Sequence, residues 1–578
     1  MSRNAEVADL LDEMADRLEA TGVEYKPRAY RQAADNIRGH TVAVETLAER
    51  GTDAVQEIDR VGDAIAAKVV EYIESGEIGE LEELRDELPA DIEALTRVEG
   101  VGPKTVADLY EALDVRDLDD LEAAAEAGEI REVKGFGPKT EANILDNIAF
   151  ARESHERELL GDAQPLATRV LDHLREHDAV AAADTAGSLR RWRPTVGDVD
   201  VLAASDDGEA VVDHFVAFDA EVIEAGTSKA SLRANGMRVD LRVVVEDEWG
   251  AALQYFTGSR DHNIALRNRA IERDLKVNEY GVFDVSAVDD PDAGQRVGER
   301  VAGETEAAVY DSLDLPHIPP ELREDRGEIE AAATGNLPDL VTLDDLRGDL
   351  HLHTDASDGD ESVADTLASA ADHGHDYLAI TDHATGPGMV GGVGVDDEGL
   401  LDLAEQVRGA AADTDLTVFT GVEANIGAGG EVSVDDDVLA ELDCVVASPH
   451  AALDGDGTDR LVAAVEHPEV NVLGHPTGRL LNRREGLDLD IDAVAEAAAA
   501  NDTALEINAN PHRLDLRGGY VQAAVEAGAV IVVNTDAHRP AEFDYLRFGV
   551  HTARRGWAEP ADVLNARDAD EVAEFLGV

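Results

Sequence analysis

Two aspartates one residue apart are the first sign of chemistry in the chain. Asp198 and Asp200 lie in Gly197–Val201, whose apolar alternation is typical of a β-strand. Because residues i and i+2 of a strand point to the same face, both carboxylates face one side. Asp240, within the strand-like Met237–Arg242, supplies a third carboxylate from a neighbouring strand. Three carboxylates suit Mg²⁺ or Mn²⁺, and two such ions can activate an attacking oxygen and neutralise a leaving pyrophosphate.

Histidines and carboxylates in the C-terminal half stand at the ends of successive strand-like runs. A lone histidine is more often structural than a ligand, but this placement recurs too often for coincidence. Imidazole and carboxylate together suit Zn²⁺, Mn²⁺ or Fe²⁺, and a cluster of up to three such ions can polarise a phosphoryl oxygen. The motifs are His351–His353, Ser357–Gly359, Thr381–His383, Gly421–Glu423, Ser448–His450, Gly474–Pro476 and Thr535–His538.

A short glycine-rich motif occurs twice in the N-terminal region. Val98–Lys104 recurs as Val133–Lys139, each ending in Gly-Pro-Lys before a helical segment, and Ile58–Asp63 is a weaker copy. A Gly-x-Gly turn at a helix N-terminus lets backbone N–H groups face an anion. Glycine-capped helical turns are the ordinary alternative, but the repetition favours helix–hairpin–helix motifs that hold a nucleic-acid backbone. The predicted DNA contacts are Gly100, Val101, Gly102, Lys104, Gly135, Phe136, Gly137 and Lys139.

The elements around these motifs differ along the chain. Residues 1–150 have helical periodicity, and residues 165–290 mix helices with short β-branched runs. Four prolines among acidic residues predict an interdomain linker over 316–345. From Leu346 onward, strand-like runs alternate with Ala-rich helices, which indicates βα units closed into a barrel. Sites in such barrels lie at the carboxyl ends of the strands.

The composition is strongly acidic. The chain has 125 Asp plus Glu against 49 Lys plus Arg, so its formal net charge is −76. Such a charge would ordinarily disfavour binding to nucleic acid. Yet 44% of residues are hydrophobic and the acids are dispersed, so we interpret the charge as adaptation to molar salt, where the Debye length is about 3 Å. Cys444 is the only cysteine, and no run of 18 apolar residues occurs. We expect a cytoplasmic monomer without membrane contact.

The segment Gly187–Val201, with Gly-Ser upstream of the aspartate pair, resembles the nucleotidyltransferase core of the family X DNA polymerases. The C-terminal histidine pattern resembles a polymerase-and-histidinol-phosphatase (PHP) domain, a distorted (β/α)7-type barrel. Together these imply a multidomain α+β and α/β chain that binds gapped or primed DNA and dNTPs. The implied domains are 1–88 (lyase-like helical), 89–151 (fingers with two hairpins), 152–246 (palm), 247–315 (thumb-like nucleotide selection), 316–345 (linker) and 346–578 (PHP).

The polymerase resemblance assigns roles to individual residues. Asp198, Asp200 and Asp240 become the catalytic metal ligands. Tyr255–Ser259 resembles the sugar-discriminating turn of the family, although an aromatic core pair is the ordinary alternative for its first two residues. The implied nucleotide-binding residues are Gly187, Ser188, Arg191, Gly197, Arg238, Tyr255, Phe256, Gly258, Asn263 and Arg267.

The PHP resemblance implies a complete ligand set and therefore an active phosphoesterase. The implied ligands are His351, His353, Asp358, His383, Glu423, His450, His475, Asp536 and His538.

The small N-terminal domain of the family also carries a lyase lysine, which forms a Schiff base with an abasic sugar. Lys68 matches that position, and Lys26 and Tyr30 match its 5′-phosphate pocket. Ala64 replaces a second pocket lysine and Arg60 replaces the first hairpin glycine. Lyase chemistry therefore stays open, because Lys68 could instead contact only phosphate or solvent.

The resemblance predicts gap filling in base excision repair, coupled to a 3′–5′ exonuclease. One alternative is that the PHP half is a small-molecule phosphomonoesterase. Others are that the N-terminal half is an untemplated nucleotidyltransferase, or that the chain is a scaffold that binds DNA ends.

Overall fold

The computed structural model describes residues 3–23, 26–38, 44–48, 50–56, 58, 60–96, 98, 101–155, 157–291, 293–389 and 393–578. The chain divides into two compact units, Met1–Arg157 with Asn482–Arg484 and Glu158–Leu481 with Glu485–Val578. Within the described residues, every helix is too short or too polar to span a bilayer.

The first unit is helical and has two hydrophobic cores. One core joins α1 to α6 around Leu11, Met14 and Ile37, and the other joins α7 to α10 around Leu95 and Ile144. The described helices are α1 (Asn4–Ala20), α2 (Lys26–Arg38), α3 (Val44–Ala48), α4 (Thr52–Val55), α5 (Asp63–Ser75), α6 (Gly79–Glu87), α7 (Ile92–Thr96), α8 (Pro103–Leu113), α9 (Leu118–Glu126) and α10 (Pro138–His155).

The second unit begins with an α/β layer formed by residues that were expected to be the palm, and this layer is called the palm below. Its five-stranded sheet has the order β2-β4-β7-β6-β5, in which only the β4–β7 pair is parallel among the described strands. The core lies between this sheet and α11 and α13. The elements are β1 (Glu158–Leu159), α11 (Leu160–Arg175), β2 (Ala182–Thr185), α12 (Gly187–Arg190), β3 (Thr195–Val196), β4 (Val199–Ala204), α13 (Gly208–Phe215), β5 (Glu221–Ala225), β6 (Lys229–Ala234) and β7 (Met237–Val244).

The thumb-like part combines helices with a three-stranded antiparallel sheet of order β10-β9-β8. Its elements are α14 (Trp249–Thr257), α15 (Arg260–Ile271), β8 (Leu275–Asn278), β9 (Gly281–Asp284), β10 (Glu299–Ala302), α16 (Glu306–Asp311) and α17 (Glu328–Thr334). The segment expected to be a linker is ordered here, since it includes α17 and buries Leu322, Ile329 and Leu340 in the thumb core.

The C-terminal part is a barrel of seven parallel strands in sequential order, β11 to β17. A parallel bridge between Leu352 and Ala537 brings the two edge strands together, so the barrel is nearly closed. The strands are β11 (Gly348–Asp349), β12 (Tyr377–Ile380), β13 (Thr417–Asn425), β14 (Cys444–Ser448), β15 (Val472–Leu473), β16 (Ala504–Asn508) and β17 (Ile531–Asn534). The predicted fold class is confirmed.

Helices cover the barrel and complete the chain. They are α18 (Val363–Asp372), α19 (Asp397–Ala411), α20 (Asp436–Leu439), α21 (Thr458–Val465), α22 (Ile491–Ala500), α23 (Gly518–Ala527), α24 (Leu546–Arg555) and α25 (Ala569–Leu576). Barrel and palm share hydrophobic core, because Leu514 and Phe548 pack among the palm residues.

Gly250 tests the packing of the thumb. A Cβ at this position in α14 would collide with the backbone of Thr305 and Glu306. Gly250→Ala should therefore lower the free energy of unfolding by about 1–3 kcal/mol, since backbone cannot give way as a side chain can. Denaturant unfolding measures the change.

Gly409→Ala is the matched control. Gly409 is exposed in α19, and nothing lies within 4 Å of the added Cβ. Alanine should stabilise that helix by up to about 1 kcal/mol. Equal stability of the two variants would contradict the tight contact at Gly250.

Candidate active sites

The palm brings the three predicted carboxylates together. Asp200 in β4 is paired in register with Asp240 in β7, and Asp198 immediately precedes β4. Ligand oxygens of all three lie within 4.8 Å of one another. Burial first, then the charges of Asp198 and Asp240, raises the pKa of Asp200 to about 7. Because like charges at this distance need a counter-charge, the oxygen set fits a divalent cation.

Polar neighbours hold Asp240 in place. The Nε of Arg238 donates to both carboxylate oxygens of Asp240 at 2.9 Å. The hydroxyl of Ser231, on the adjacent β6, also donates to this carboxylate. Ser231 was not predicted, since only the strand pairing reveals its position opposite Asp240. These bonds fix the orientation of the third ligand.

The predicted triphosphate-binding residues surround the same strand. Gly187 has a φ of +61°, and a Cβ there would meet the Asp200 carboxylate, so the turn closes over the metal ligands. Ser188 follows in the short α12, and Gly197 is exposed between β3 and β4. Arg191 is buried, with Nη1 donating to the carbonyl of Thr257 at 2.6 Å.

Ion pairs that the sequence did not reveal connect this turn to the thumb. Arg190 donates from Nη1 and Nη2 to the two oxygens of Glu306 at 2.9 and 2.8 Å. Arg191 donates from Nε to Glu324 at 3.0 Å. The partners are over 100 residues away, so nothing in local sequence marks them.

The expected sugar-discriminating turn connects α14 and α15. The rings of Tyr255 and Phe256 meet edge to face at 5.2 Å. Asn263 donates from Nδ2 to the carbonyls of Tyr255, at 2.8 Å, and Gly258, at 3.2 Å. Arg267 is exposed one turn further along α15. The tyrosine and phenylalanine are half-buried, so ring surface is available to a ligand.

Two neighbours of this turn were missed. Gln254 donates from Nε2 to Asn263 at 2.9 Å, and the guanidinium of Arg242 lies 4.4 Å from the centre of the Phe256 ring. Arg242 lies two residues after Asp240 on β7 and so shares its face of the sheet.

The described parts of the two hairpins precede α8 and α10. Gly102 caps α8, Val101 is buried, and Lys104 is exposed. Around the second hairpin, Phe136 packs against the core and Lys139 is exposed. A Cβ at Gly102, Gly135 or Gly137 would meet nothing within 4 Å, so the free space lies on the outside, where another backbone can approach. Gly100 lies outside the described residues.

The expected lyase residues gather around an acidic residue that was not predicted. Glu80 lies 2.7 Å from the Nζ of Lys68 and 3.7 Å from that of Lys26, and Tyr30 is beside Lys68. Burial lowers the pKa of Lys68, but the hydrogen bond and charge of Glu80 outweigh it and raise that pKa above its usual value. Arg60, in place of the hairpin glycine, has a φ of +57°.

All nine predicted PHP ligands meet at one end of the barrel. They follow the strands or, for Glu423, lie within β13. Potential ligand atoms within 4.8 Å of one another form three overlapping sets in the described residues. The sets are His353, Asp358, His383 and His538; His351, His353 and Glu423; and His383, Glu423 and His450.

The remaining two ligands join the same network. His475 Nε2 lies 2.9 Å from Glu423, and His353 Nε2 lies 3.0 Å from Asp536. Within the described part of the chain, several buried atoms of the cluster make no hydrogen bond of good geometry, namely Nε2 of His351, Nδ1 of His353, Nδ1 of His383, Oε2 of Glu423 and Nδ1 of His475. Unsatisfied imidazole nitrogens and carboxylate oxygens facing one another fit divalent metal ions.

Residues behind the ligands fix their orientation. Glu506 accepts from His351 Nδ1 at 2.7 Å and from the backbone N–H of His475 at 2.6 Å. Asn508 donates to Asp536 at 2.9 Å. Such partners orient metal ligands. Glu506 was missed, although a carboxylate in the middle of the apolar β16 is a signal in the sequence.

Metal analysis tests the cluster. Glu423 faces His351, His383, His450 and His475, so Glu423→Gln should reduce the metal retained after dialysis by at least one ion per chain. Elemental analysis measures retention. Loss of a residue behind the ligands typically costs about 10- to 100-fold in metal affinity, and loss of a ligand itself should cost at least as much. His373→Ala, an exposed histidine of the same barrel, is the control. Unchanged metal content in Glu423→Gln would contradict the assignment.

Comparison with known families and proteins agrees with this layout. The DNA polymerase beta thumb matches residues 252–324. A helix-hairpin-helix domain matches 2–78, and a SAM-like helix-hairpin-helix tandem matches 52–114 and 92–149. The PHP domain matches 349–510.

Similar proteins cover the whole chain or its parts. DNA polymerase lambda of Rattus norvegicus is 25% identical over 344 residues, 56% of each chain. A probable phosphatase of Shewanella sp. (strain MR-4) is 31% identical over 204 residues, 33% of this chain and 75% of that protein. The DNA polymerase/3′-5′ exonuclease PolX of Bacillus subtilis (strain 168) is 35% identical over 581 residues, 99% of each chain. The chain therefore belongs to the family X DNA polymerases that carry a C-terminal PHP domain.

Proposed function

We propose that the chain is a DNA-directed DNA polymerase that fills short gaps during base excision repair, and that its PHP barrel is a 3′–5′ exonuclease. The observation that carries this is the presence of two separate clusters of potential metal ligands, an oxygen-only triad in the palm and a nitrogen-rich cluster in the barrel. The similarity to a polymerase/exonuclease over the full length supports the pairing of these activities.

In the palm, divalent ions held by Asp198, Asp200 and Asp240 would activate the primer 3′-hydroxyl and neutralise the leaving pyrophosphate; Mg²⁺ or Mn²⁺ suits the oxygen ligands. Arg238 keeps the Asp240 carboxylate oriented. Ser188 and Arg191 would bind the triphosphate. Positioning and charge neutralisation supply most of the catalysis of such a transfer.

Nucleotide selection would take place on the thumb side. Tyr255 and Phe256 would line the deoxyribose, and Asn263 and Arg267 would contact the incoming nucleotide and the template side. The bonds from Asn263 to the carbonyls of Tyr255 and Gly258 keep the turn rigid.

DNA would be held by its backbone at the two hairpins. Exposed N–H groups and the neighbouring Lys104 and Lys139 can bind phosphate without reading the sequence. That binding mode needs little positive surface, which suits a chain with a net charge of −76.

In the barrel, up to three divalent ions, of which Zn²⁺, Mn²⁺ and Fe²⁺ suit the ligands, would polarise the scissile phosphate and lower the pKa of the attacking water. Glu506 and Asn508 would hold the ligands in place. The similarity of this half to a probable phosphatase favours a second candidate, a monoesterase acting on terminal or small phosphate esters.

A 5′-labelled primer over a one-nucleotide gap separates these activities. In high salt with Mn²⁺, Asp198→Ala should abolish templated extension, by at least about a thousandfold for loss of a metal ligand, and leave shortening intact. His353→Ala should abolish shortening and leave extension intact. Asp206→Ala, an exposed aspartate just beyond β4, is the control.

The products discriminate among the candidates. Release of phosphate from small or terminal esters without shortening would favour the monoesterase. Extension without a template would favour an untemplated transferase. Absence of primer extension by the wild type would contradict the polymerase proposal.

Lyase activity can be tested at Lys68. A Schiff base requires the neutral amine, and the raised pKa of Lys68 keeps it protonated at neutral pH. Borohydride trapping on abasic DNA should therefore be weak in the wild type and increase with pH. Glu80→Gln should increase trapping at neutral pH, because the lysine pKa falls when its carboxylate partner is removed.

Glu83→Gln, at an exposed position of the same helix α6, should leave trapping unchanged. Strong trapping by the wild type at neutral pH, insensitive to Glu80→Gln, would contradict the role assigned to this ion pair.

A further inference from the structure

The palm turn contacts one helix of the PHP barrel through a hydrogen bond and a pair of stacked rings. Arg191 and Trp192 directly follow α12, and both contact α24 of the barrel. Arg555, at the end of α24, donates from Nη1 to the backbone carbonyl of Arg191 at 2.6 Å. The same nitrogen lies 3.2 Å from the Glu324 carboxylate. Arg555 therefore contacts both the backbone of Arg191 and the carboxylate that holds its side chain.

The Arg191 side chain is fixed from two sides. Its Nε donates to Glu324 at 3.0 Å and its Nη1 to the carbonyl of Thr257 at 2.6 Å. Nη2 has no hydrogen-bond partner among the described residues. Nε and Nη1 thus fix the orientation of the Arg191 guanidinium, and Nη2 remains available to a ligand. A planar guanidinium held in this way is suited to an oxygen anion such as a phosphate.

The three charged side chains are shielded from water. Their exposed fractions are 10% for Arg191, 11% for Glu324 and 13% for Arg555. Salt screens exposed pairs strongly but buried pairs much less. The arrangement can therefore keep its geometry in concentrated salt, where a surface ion pair would contribute little.

A second contact fixes the same turn. Trp192 has a φ of +53°, which is uncommon for a bulky residue, and its ring stacks on His551 of α24 at 3.5 Å. His551 Nδ1 and Arg554 Nε are in turn bonded to Glu321, at 2.8 and 2.7 Å. The barrel helix therefore stabilises an unfavourable backbone conformation immediately after Arg191.

From these contacts we propose that Arg555 of the PHP barrel is a positioning residue for nucleotide binding in the palm, acting through Glu324 and Arg191. The inference rests on the proposed polymerase function. It makes the barrel part of the structure that supports the polymerase site, in addition to its own chemistry. Removal of Arg555 would leave the Arg191 carbonyl and part of the Glu324 charge without their donor, and would loosen the guanidinium.

Single-nucleotide insertion on one-nucleotide-gapped DNA tests this with the full chain. Arg555→Ala should raise the KM for dNTP by about tenfold, the effect of one buried charged hydrogen bond, with a smaller change in kcat. The KM of Arg555→Lys should lie between those of the wild type and Arg555→Ala, since lysine can keep one hydrogen bond but lacks the several donors of the planar guanidinium. The exonuclease rate should not change. Arg547→Ala, an exposed arginine of the same helix, should behave as wild type.

A double-mutant cycle with Arg191→Ala identifies the route. If Arg555 acts through Arg191, the double variant should have the same KM as Arg191→Ala alone. Independent, multiplicative effects would overturn the inference. So would a wild-type KM in Arg555→Ala, or an equal loss of extension and exonuclease together with a lowered Tm. A wild type that inserts no nucleotide would overturn both this inference and the polymerase proposal, whereas insertion with an unchanged KM in Arg555→Ala would overturn the inference alone.

Discussion

Repulsion among the three palm carboxylates is the interaction on which the polymerase site depends. Asp198, Asp200 and Asp240 are close enough for their charges to disfavour one another, and burial strengthens this effect. The fold must therefore hold them together before a cation neutralises them. The parallel pairing of β4 with β7 does so, because backbone hydrogen bonds fix Asp200 opposite Asp240. A bound cation would offset the repulsion among the three carboxylates.

Both clusters hold several potential metal ligands close together, but they do so with different ligand types. The palm uses oxygen alone and offers a site for hard, exchangeable cations. The barrel mixes imidazole with carboxylate, and Glu423 lies within 4 Å of five histidines, so nitrogen and oxygen donors face one another there. The barrel also has fewer carboxylates per potential ligand than the palm, since histidines supply six of its nine predicted ligands.

Much of the candidate chemistry could be predicted from the sequence, because it follows from local rules. The spacing of Asp198 and Asp200 requires only the two-residue period of a strand, and the barrel ligands follow from motifs at strand ends. Glu306 and Glu324 were missed because their arginine partners lie more than 100 positions away along the chain. Glu80, Glu306 and Glu324 belong to an abundant residue type in this chain, so only the tertiary structure distinguishes them. The linker expectation likewise depended on proline content, which does not reveal that Leu322 and Ile329 are buried.

Ion pairs with glutamates also explain how a chain with so many acidic residues can hold individual arginine side chains in defined positions. Arg190, Arg191 and Arg555 are each paired with a glutamate whose side chain is at most 11% exposed, so their guanidinium groups are held by neighbours and not by bulk counterions. Buried pairs contribute little net stability on their own, but breaking one leaves an uncompensated charge. The main effect of these ion pairs is therefore to fix one conformation of the turn that follows α12. At molar salt, where charges are screened within about 3 Å, short-range contacts of this kind would still hold an arginine in place, and Arg555 of α24 supplies one of them to the backbone of Arg191.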